Sequence, residues 1–347
     1  KELTKLKEFI VPWMYDSSKC APQNALIDCD TAFKNFFDRC KKRVKGDKGF
    51  PKYKSKRNEK QSFKLQGTIS VGNNYIKLPR IGKVKLCQIG YIPTDCKILS
   101  ATVSTRAGKW FVSVNVEAPN KIPTKAINNI IGVDLGIKSL ATCSDRTVYQ
   151  NPKALKSNLS KLKRKQRNLS RKVKGSNNYT KARKQLAGLH YRISNIRKDC
   201  LHKVTTRIIN ENQVIVLEDL NISGMLKNHK LARAISDMGF YEIRRQIEYK
   251  AKWNGRDVII ADRFYPSSKM CSGCGWIKAD LTLKDRVFNC QQCKLEIDRD
   301  LNASLNLKQY TGGLPGIEAC GDRSSSDESL VSLLGKQELD KGSVIIF

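Results

Sequence analysis

The period of the apolar positions changes along this chain, and each change marks a different kind of element. From Pro22 to Val44 the residues Leu26, Cys29, Phe33, Phe36, Phe37, Cys40 and Val44 return at steps of three and four, which predicts an amphipathic helix. A shorter helix is expected before it, around Leu3 to Trp13. Gly46 to Lys60 breaks the pattern with Gly, Pro and aromatics set among basic residues. It reads as a loop able to touch phosphates through Lys54, Lys56 and Arg57, with an inert solvated loop as the competing reading. From Ser62 to Glu117 the period falls to two, as in Phe63/Leu65, Val84/Leu86 and Trp110 to Val116 across the Arg106-Ala107-Gly108 turn. Several short antiparallel strands forming a small β-barrel or sandwich are expected there.

After a linker at Pro119 to Pro123 the pattern becomes that of an α/β domain. Asn129-Ile130-Ile131-Gly132-Val133-Asp134 reads as a buried strand, with Ser139 to Cys143 returning as its partner. Lys153 to Arg207 is helical, predicted as two helices broken near Gly175-Ser176-Asn177-Asn178, with Leu155, Leu159, Leu162, Leu169 and Val173 as one stripe. Val214 to Glu218 and Val258 to Asp262 are two further strands, with a helix from Tyr241 to Lys252 between them. This alternation implies a mixed or parallel sheet covered on both faces. From Thr311 onward the chain is rich in Gly, Ser and acids, and is expected to be a mostly disordered tail.

Charge then narrows the partners. The 347 residues carry 65 Lys and Arg against 32 Asp and Glu, a formal net charge of +33. Such an excess attracts a polyanion, and nucleic acid is the first candidate. Between Lys153 and Lys203 the only acid is Asp199, so Lys163, Arg164, Lys165, Arg167, Arg171 and Lys172 form a one-signed track suited to a phosphate backbone rather than a solvated face of mixed sign. No run of apolar residues is long enough for a membrane span, and no lipidation signal or signal peptide is seen. Cys20, Cys29, Cys40, Cys87, Cys96, Cys143, Cys200 and Cys320 are scattered without a disulfide framework, which fits a reducing cytoplasm. Only three histidines occur and no phosphate-binding Gly-rich loop with its Lys, so any chemistry falls to carboxylates and metals.

Two constellations could supply it. Cys271-Ser272-Gly273-Cys274 and Cys290-Gln291-Gln292-Cys293 pair cysteines at a spacing that closes tetrahedrally on one structural Zn²⁺, redox dithiols being the alternative. Four thiolates leave no open position, so this metal braces and does not catalyse. Asp134 and Glu218 each end an apolar strand, and Asp300 opens a helical run through Leu301 and Leu305. Phosphodiester hydrolysis by two Mg²⁺ ions roughly 3.5–4 Å apart needs carboxylates gathered in this way from separate elements. Singly, an Asp after a strand is more often a helix cap or turn residue.

Gly132-Val133-Asp134-Leu135-Gly136-Ile137-Lys138, Leu217-Glu218-Asp219-Leu220-Asn221-Ile222, Tyr265-Pro266-Ser267-Ser268-Lys269-Met270-Cys271 and Asp298-Arg299-Asp300-Leu301-Asn302-Ala303 resemble the blocks of TnpB, the RNA-guided nucleases encoded by insertion sequences and related to compact type V CRISPR effectors. The resemblance runs over nearly the whole chain. It implies a RuvC-like, ribonuclease-H-type α/β nuclease domain with Asp134, Glu218 and Asp300 as catalytic Mg²⁺ ligands. It also implies a zinc-ribbon-like insert on Cys271, Cys274, Cys290 and Cys293, and a substrate contact at Arg286. The implied layout is a helical recognition segment over 1–60, a wedge-like β-barrel over 61–118, nuclease parts over 119–270 and 294–310, the zinc insert over 271–293, and the tail over 311–347. The expected partners are a guide RNA from the element and double- and single-stranded target DNA, in the cytoplasm at the nucleoid. Family members open with a strand that completes the barrel, whereas this chain starts at Lys1-Glu2-Leu3 in a helical pattern, so an unpaired barrel edge is expected. The competing readings are a guided DNA-binding protein or transposition regulator that does not cut, and a transposase. A single-strand transposase would need a His pair that the chain lacks, and its Asp-Glu-Asp order differs from recombinases whose glutamate comes last.

Overall fold

The structure, a computed structural model, describes residues 9–42, 46–53, 61–90, 92, 96–117, 129–282, 285–310 and 343–346. Two compact units emerge, one from Lys1–Pro119 with Glu338–Phe347 and the other from Asn120–Gln337. Lys54, Lys56 and Arg57, the linker and most of the tail lie outside the described residues, as does most of the expected first helix. Phe9, the first described residue, is helical, and a short 3₁₀ turn follows at Pro12–Tyr15.

In the first unit, helix α1 spans Cys20–Lys41. Its apolar stripe is mostly left in the open: Cys20 alone is buried, and Leu26 and Phe37 are each 54% exposed. The aromatic residues pack on one another instead. Phe33, Phe36 and Phe37 cluster with Phe50 of the following segment, at ring-centroid separations of 5.2 to 6.4 Å.

The period-two stretch yields β1 (Ser62–Leu65), β2 (Ser70–Val71), β3 (Tyr75–Leu78), β4 (Gly82–Lys85), β5 (Lys97–Arg106) and β6 (Lys109–Glu117). β5 and β6 form the longest hairpin because Ala107 and Gly108 both take positive φ, 51° and 74°, the twist a two-residue hairpin turn requires. Two antiparallel sheets result, ordered β1-β5-β6-β14 and β2-β3-β4, where β14 is Ser343–Ile346. Leu65, Ile76, Leu78, Ala101, Val103, Val114 and Val116 form the core they share. The tail departs from expectation at its end: Ser343–Ile346 is a strand whose backbone pairs antiparallel with β6 along that strand's free edge.

The second unit is built on a five-stranded sheet. Its strands are β7 (Ile130–Asp134), β8 (Ser139–Cys143), β9 (Val148–Gln150), β10 (Val214–Glu218) and β11 (Asp257–Ala261), in the order β11-β10-β7-β8-β9. β7, β10 and β11 run parallel, and β8 and β9 add antiparallel pairs, so the sheet is mixed. Helices α2 (Ala154–Ser170) and α3 (Asn177–Glu211) connect β9 to β10. Ser176 ends the break between them as the N-cap of α3, accepting from Tyr179 N–H at 3.1 Å. The predicted stripe stops at Leu169, because Val173 lies beyond α2 and is 78% exposed. Short helices α4 (Ile222–Leu226) and α5 (Ala232–Met238), then α6 (Phe240–Trp253), lead from β10 to β11. Strands β12 (Val287–Asn289) and β13 (Glu296–Asp298) pair, and β13 runs straight into α7 (Arg299–Gln309).

Both faces of the sheet are covered. Ile131, Val133, Ile215 and Leu217 point one way, onto Leu201 and Ile208 of α3 and Phe240, Ile243 and Ile247 of α6. Val214, Val216 and Ala261 point the other way, onto Leu307 of α7. Each such aliphatic side chain contributes about 1.5–3 kcal/mol by leaving water. Helix α7 can lie flat on β7 only because residue 132 is glycine: a Cβ there would collide with the backbone at Ser304 O and Lys308 N. Gly132→Ala is therefore expected to push α7 off the sheet and to cost about 1–3 kcal/mol or more. The denaturant midpoint measures it beside a Gly136→Ala control, whose Cβ meets only Ser139 O at 3.3 Å. Equal midpoints for the two variants would show that α7 is not seated this tightly.

Candidate active site

Strand parity places the acids. Side chains two apart on a strand share a face, so Val214, Val216 and Glu218 point where Ile130, Gly132 and Asp134 point, toward α7. Leu217 is in register with Val133 on the parallel neighbour, which sets Glu218 and Asp134 side by side one step further on. Asp300 arrives from above, in the first turn of α7. Asp298, two residues earlier, is committed elsewhere. Its Oδ1 caps α7, accepting from Asp300 N–H at 2.9 Å and Leu301 N–H at 3.1 Å.

Asp300 and Glu218 stand close enough to Asp134 for their charges to oppose its ionisation. Burial first, then the charges of Asp300 and Glu218, push the Asp134 carboxyl from 3.8 up to about 8, with Arg299 opposing. Burial and the neighbouring Asp219 push Glu218 up as well. Asp219 itself turns away. Hydrogen bonds from Arg263 and Arg244 hold its carboxyl below the usual range, the latter at 2.7 Å. Arg299 Nε lies 3.9 Å from Asp300 Oδ1, while its Nη1 donates to Thr282 O at 3.1 Å and Asp285 O at 3.3 Å. One guanidinium tied to carbonyls does not balance three half-enclosed acids. Hard divalent cations such as Mg²⁺ suit this all-oxygen donor set. Beside it opens a cleft of about 380 Å³ lined by Asp298, Asp300, Lys138, Ser139, Thr142 and Arg146, among others.

The four cysteines also meet. Cys271 and Cys293 Sγ are 3.6 Å apart, Cys274 and Cys290 Sγ 3.5 Å, and all four lie within 4.8 Å of one another. Tetrahedral zinc with bonds of about 2.3 Å needs sulfurs about 3.8 Å apart, so the cluster fits it. Burial opposes a charge there, yet bonds from Cys293 N–H and the Cys274 thiol bring the Cys290 thiol down to about 6. Phe288, Trp276, Leu281, Leu295 and Ile297 pack around the cluster.

Of the basic residues named from sequence, Lys163, Arg164, Arg167, Arg171 and Lys172 are exposed, and Lys165 is half-buried with its ammonium donating to Gln185 Oε1 at 3.1 Å. Arg286 is exposed, and its carbonyl accepts from Arg299 N–H at 2.9 Å, which sets it beside the start of α7. Sequence reasoning missed Asp237. Buried on α5, it accepts from Leu155 N–H at 2.9 Å and Arg197 Nη2 at 2.8 Å, capping the otherwise uncapped α2 and pinning it to α3. No sequence spacing links positions 82 and 40 residues apart. It also passed over Asn302 and Asn306, although two asparagines four apart on an apolar helix are a visible irregularity.

A Streptomyces pristinaespiralis protein named as a candidate RNA-guided DNA endonuclease is 39% identical over 303 residues, 86% of this chain and 72% of that protein. InsQ of Escherichia coli K12, with the same description, is 34% identical over 92% of this chain and 80% of its own length. Residues 111–229 match the family model "Probable transposase" of the IS605 OrfB type, and residues 240–307 match "Cas12f1-like, TNB domain". This chain belongs to the TnpB family. A TnpB-like protein of Methanocaldococcus jannaschii is 38% identical over 119 residues, 32% of this chain and 41% of that one. The cryo-EM structure of a Cas12f1-sgRNA-target DNA complex aligns with a TM-score of 0.53 over 80% of this chain and 69% of that one, at 17% identity. The TnpB chain thus shares the mixed α/β fold of that structure. No helix among its described residues is long and apolar enough to cross a membrane.

The raised Asp134 carboxyl has a consequence for stability. A group held at about 8 when folded and at 3.8 otherwise stabilises the fold fully below about pH 4, and that contribution is lost as pH rises through 8. Metal-free wild type should therefore lose denaturant resistance between pH 5 and 8, and Asp134→Asn should remove most of that slope. Mg²⁺ at pH 8 should stabilise the wild type and not the variant. Parallel pH profiles for the two proteins would refute the assignment.

Proposed function

We propose that this protein is a transposon-associated, RNA-guided DNA endonuclease with Asp134, Glu218 and Asp300 as its Mg²⁺ ligands. The observation that carries the reading is the convergence of three carboxyls from β7, β10 and α7, with Asp134 driven up to about 8 by burial and by its neighbours' charges. Residues without a cation to serve would not be gathered at that cost. Bound in pairs, such ions supply an activated water and stabilise the leaving oxygen of a phosphodiester.

The chain's own residues do the rest. Asp298 and Arg299 fix the first turn of α7 and so the direction of Asp300. Lys138 and Arg146 line the adjoining cleft and would draw in a phosphate backbone. The exposed Lys163, Arg164, Arg167, Arg171 and Lys172, with Lys165, Arg286, Lys54, Lys56 and Arg57, would contact guide RNA or target DNA, mostly through phosphates. Base pairing with the guide supplies sequence choice in this class of enzyme, so the protein needs geometry more than base contacts. Cys271, Cys274, Cys290 and Cys293 would hold one structural Zn²⁺ in a ribbon-like insert, and the two sheets of the first unit would act as the wedge-like barrel. The named relatives and the shared fold support the same reading.

Asp300→Ala, Asp134→Ala and Glu218→Ala are each expected to abolish Mg²⁺-dependent plasmid cleavage with reconstituted guide RNA while RNA and target binding persist. Asp298→Ala should lose about 0.5–2 kcal/mol of stability with its cap and keep substantial cleavage. A dead Asp298→Ala beside a normally cutting Asp300→Ala would reverse the two roles. Wild type that binds but never cuts would favour a guided binding protein.

Metal analysis should find one zinc per chain, and Cys274→Ser should lower the melting temperature, since three thiolates hold zinc less well and the insert has little core of its own. Zinc-free protein with unchanged melting would refute the zinc site.

A further inference from the structure

Asn302 and Asn306 stand four residues apart on α7, so they share one face of it, and both are completely buried. Asparagine is a poor helix former, and a buried amide is costly unless bonded. Their bonds all go to one place. Asn302 Oδ1 accepts from Ser272 N–H at 2.9 Å, and its Nδ2 donates to Met270 O at 2.6 Å. Asn306 Nδ2 donates to the same carbonyl at 2.6 Å and to Ser267 O at 2.7 Å. Met270 and Ser272 flank Cys271, the most deeply buried of the four clustered cysteines.

The second cysteine pair reaches α7 by another route. Cys290 follows β12, β12 pairs with β13, and β13 ends at Asp298, the residue that caps α7 two positions before Asp300. The two routes make a circuit with one gap. It runs from Asp300 along α7 to Asn302, across to Ser272 and Cys271, over the 3.6 Å gap between Cys271 and Cys293 sulfurs, and back through β13. Every step is covalent or hydrogen-bonded backbone and amide except the sulfur gap, which a metal would bridge.

We propose that Asn302, assisted by Asn306, is a positioning residue that couples the cysteine cluster to the carboxylate site. Zinc closes the circuit, the closed circuit fixes the first turn of α7, and the fixed turn holds Asp300 against Asp134 and Glu218. The inference rests on the reading that these three carboxyls take a divalent cation. Two ligands that favour one arrangement must raise each other's affinity by the same factor, so the coupling is measurable from either end.

The experiment times zinc release from the full-length protein under excess zinc-selective chelator, with and without saturating Mg²⁺, and follows Mg²⁺ binding separately by calorimetry. Mg²⁺ is expected to slow zinc release from wild type by about five-fold or more, the lower end of usual coupling between sites. Asn302→Ala should release zinc at one rate whether or not Mg²⁺ is present, and should bind Mg²⁺ more weakly. Asn212→Ala is the control: it loses a different buried amide bond, to Ile208 O at 2.9 Å, and should keep the Mg²⁺ effect. Wild type that binds Mg²⁺ with no change in zinc release overturns the coupling while leaving the carboxylate reading in place, and this comparison needs no variant. Loss of the effect in Asn212→Ala to the same extent also overturns it, as general loosening. Wild type that binds no Mg²⁺ overturns both.

Discussion

Crowding of the buried Asp134 carboxyl by Asp300 and Glu218 is the constraint on which the site in the second unit depends. Burial, Asp300 and Glu218 each raise the cost of ionising Asp134, so the arrangement holds only where the chain enforces it. Three rigid devices prevent separation. Hydrogen bonding between parallel strands fixes Asp134 beside Glu218. A missing side chain at Gly132 lets α7 lie against β7. The Asp298 cap points the first turn of that helix at the strand ends. Stability given up at the centre is recovered from the aliphatic layers on both faces of the sheet, and a bound cation would turn the repulsion into affinity.

A large positive charge raises the opposite difficulty, since cations crowded on two helices repel each other. The fold answers by anchoring the helices from beneath. The buried carboxylate of Asp237 caps α2 and pairs with Arg197 of α3, and Leu162, Leu189 and Ile193 join the two helices along their inner sides. The Lys and Arg residues on the outer side are then free to face solvent without a packing role. The residues that hold the track in place are thus distinct from those that would touch a phosphate.

Sequence and structure agree most where a local pattern carries its own physics. Apolar β-branched runs gave β7, β10 and β11 within a residue of expectation, and the Ala107-Gly108 hairpin followed from turn chemistry. The paired cysteines converged because their spacing keeps each knuckle short, and β12 and β13 pair antiparallel on either side of the second one. Where a pattern predicted burial that needs a partner, it misled. The apolar stripe of α1 is largely exposed and closes on Phe50, and Val173 falls outside α2.

By itself, then, the sequence determined the element types, the family, the acids to examine and the four cysteines that cluster, because periodicity, turn residues and motif spacing act over a few neighbours. Tertiary structure alone decided which face each acid occupies and that Ser343–Ile346 adds a strand to β6. It also decided that Asp237 holds a helix 82 residues away in sequence, and that Asn302 and Asn306 fasten α7 to the backbone around Cys271. Those outcomes turn on hydrogen bonds between segments distant in the chain. Such bonds form only once hydrophobic burial has brought the segments together, and no local pattern encodes the meeting.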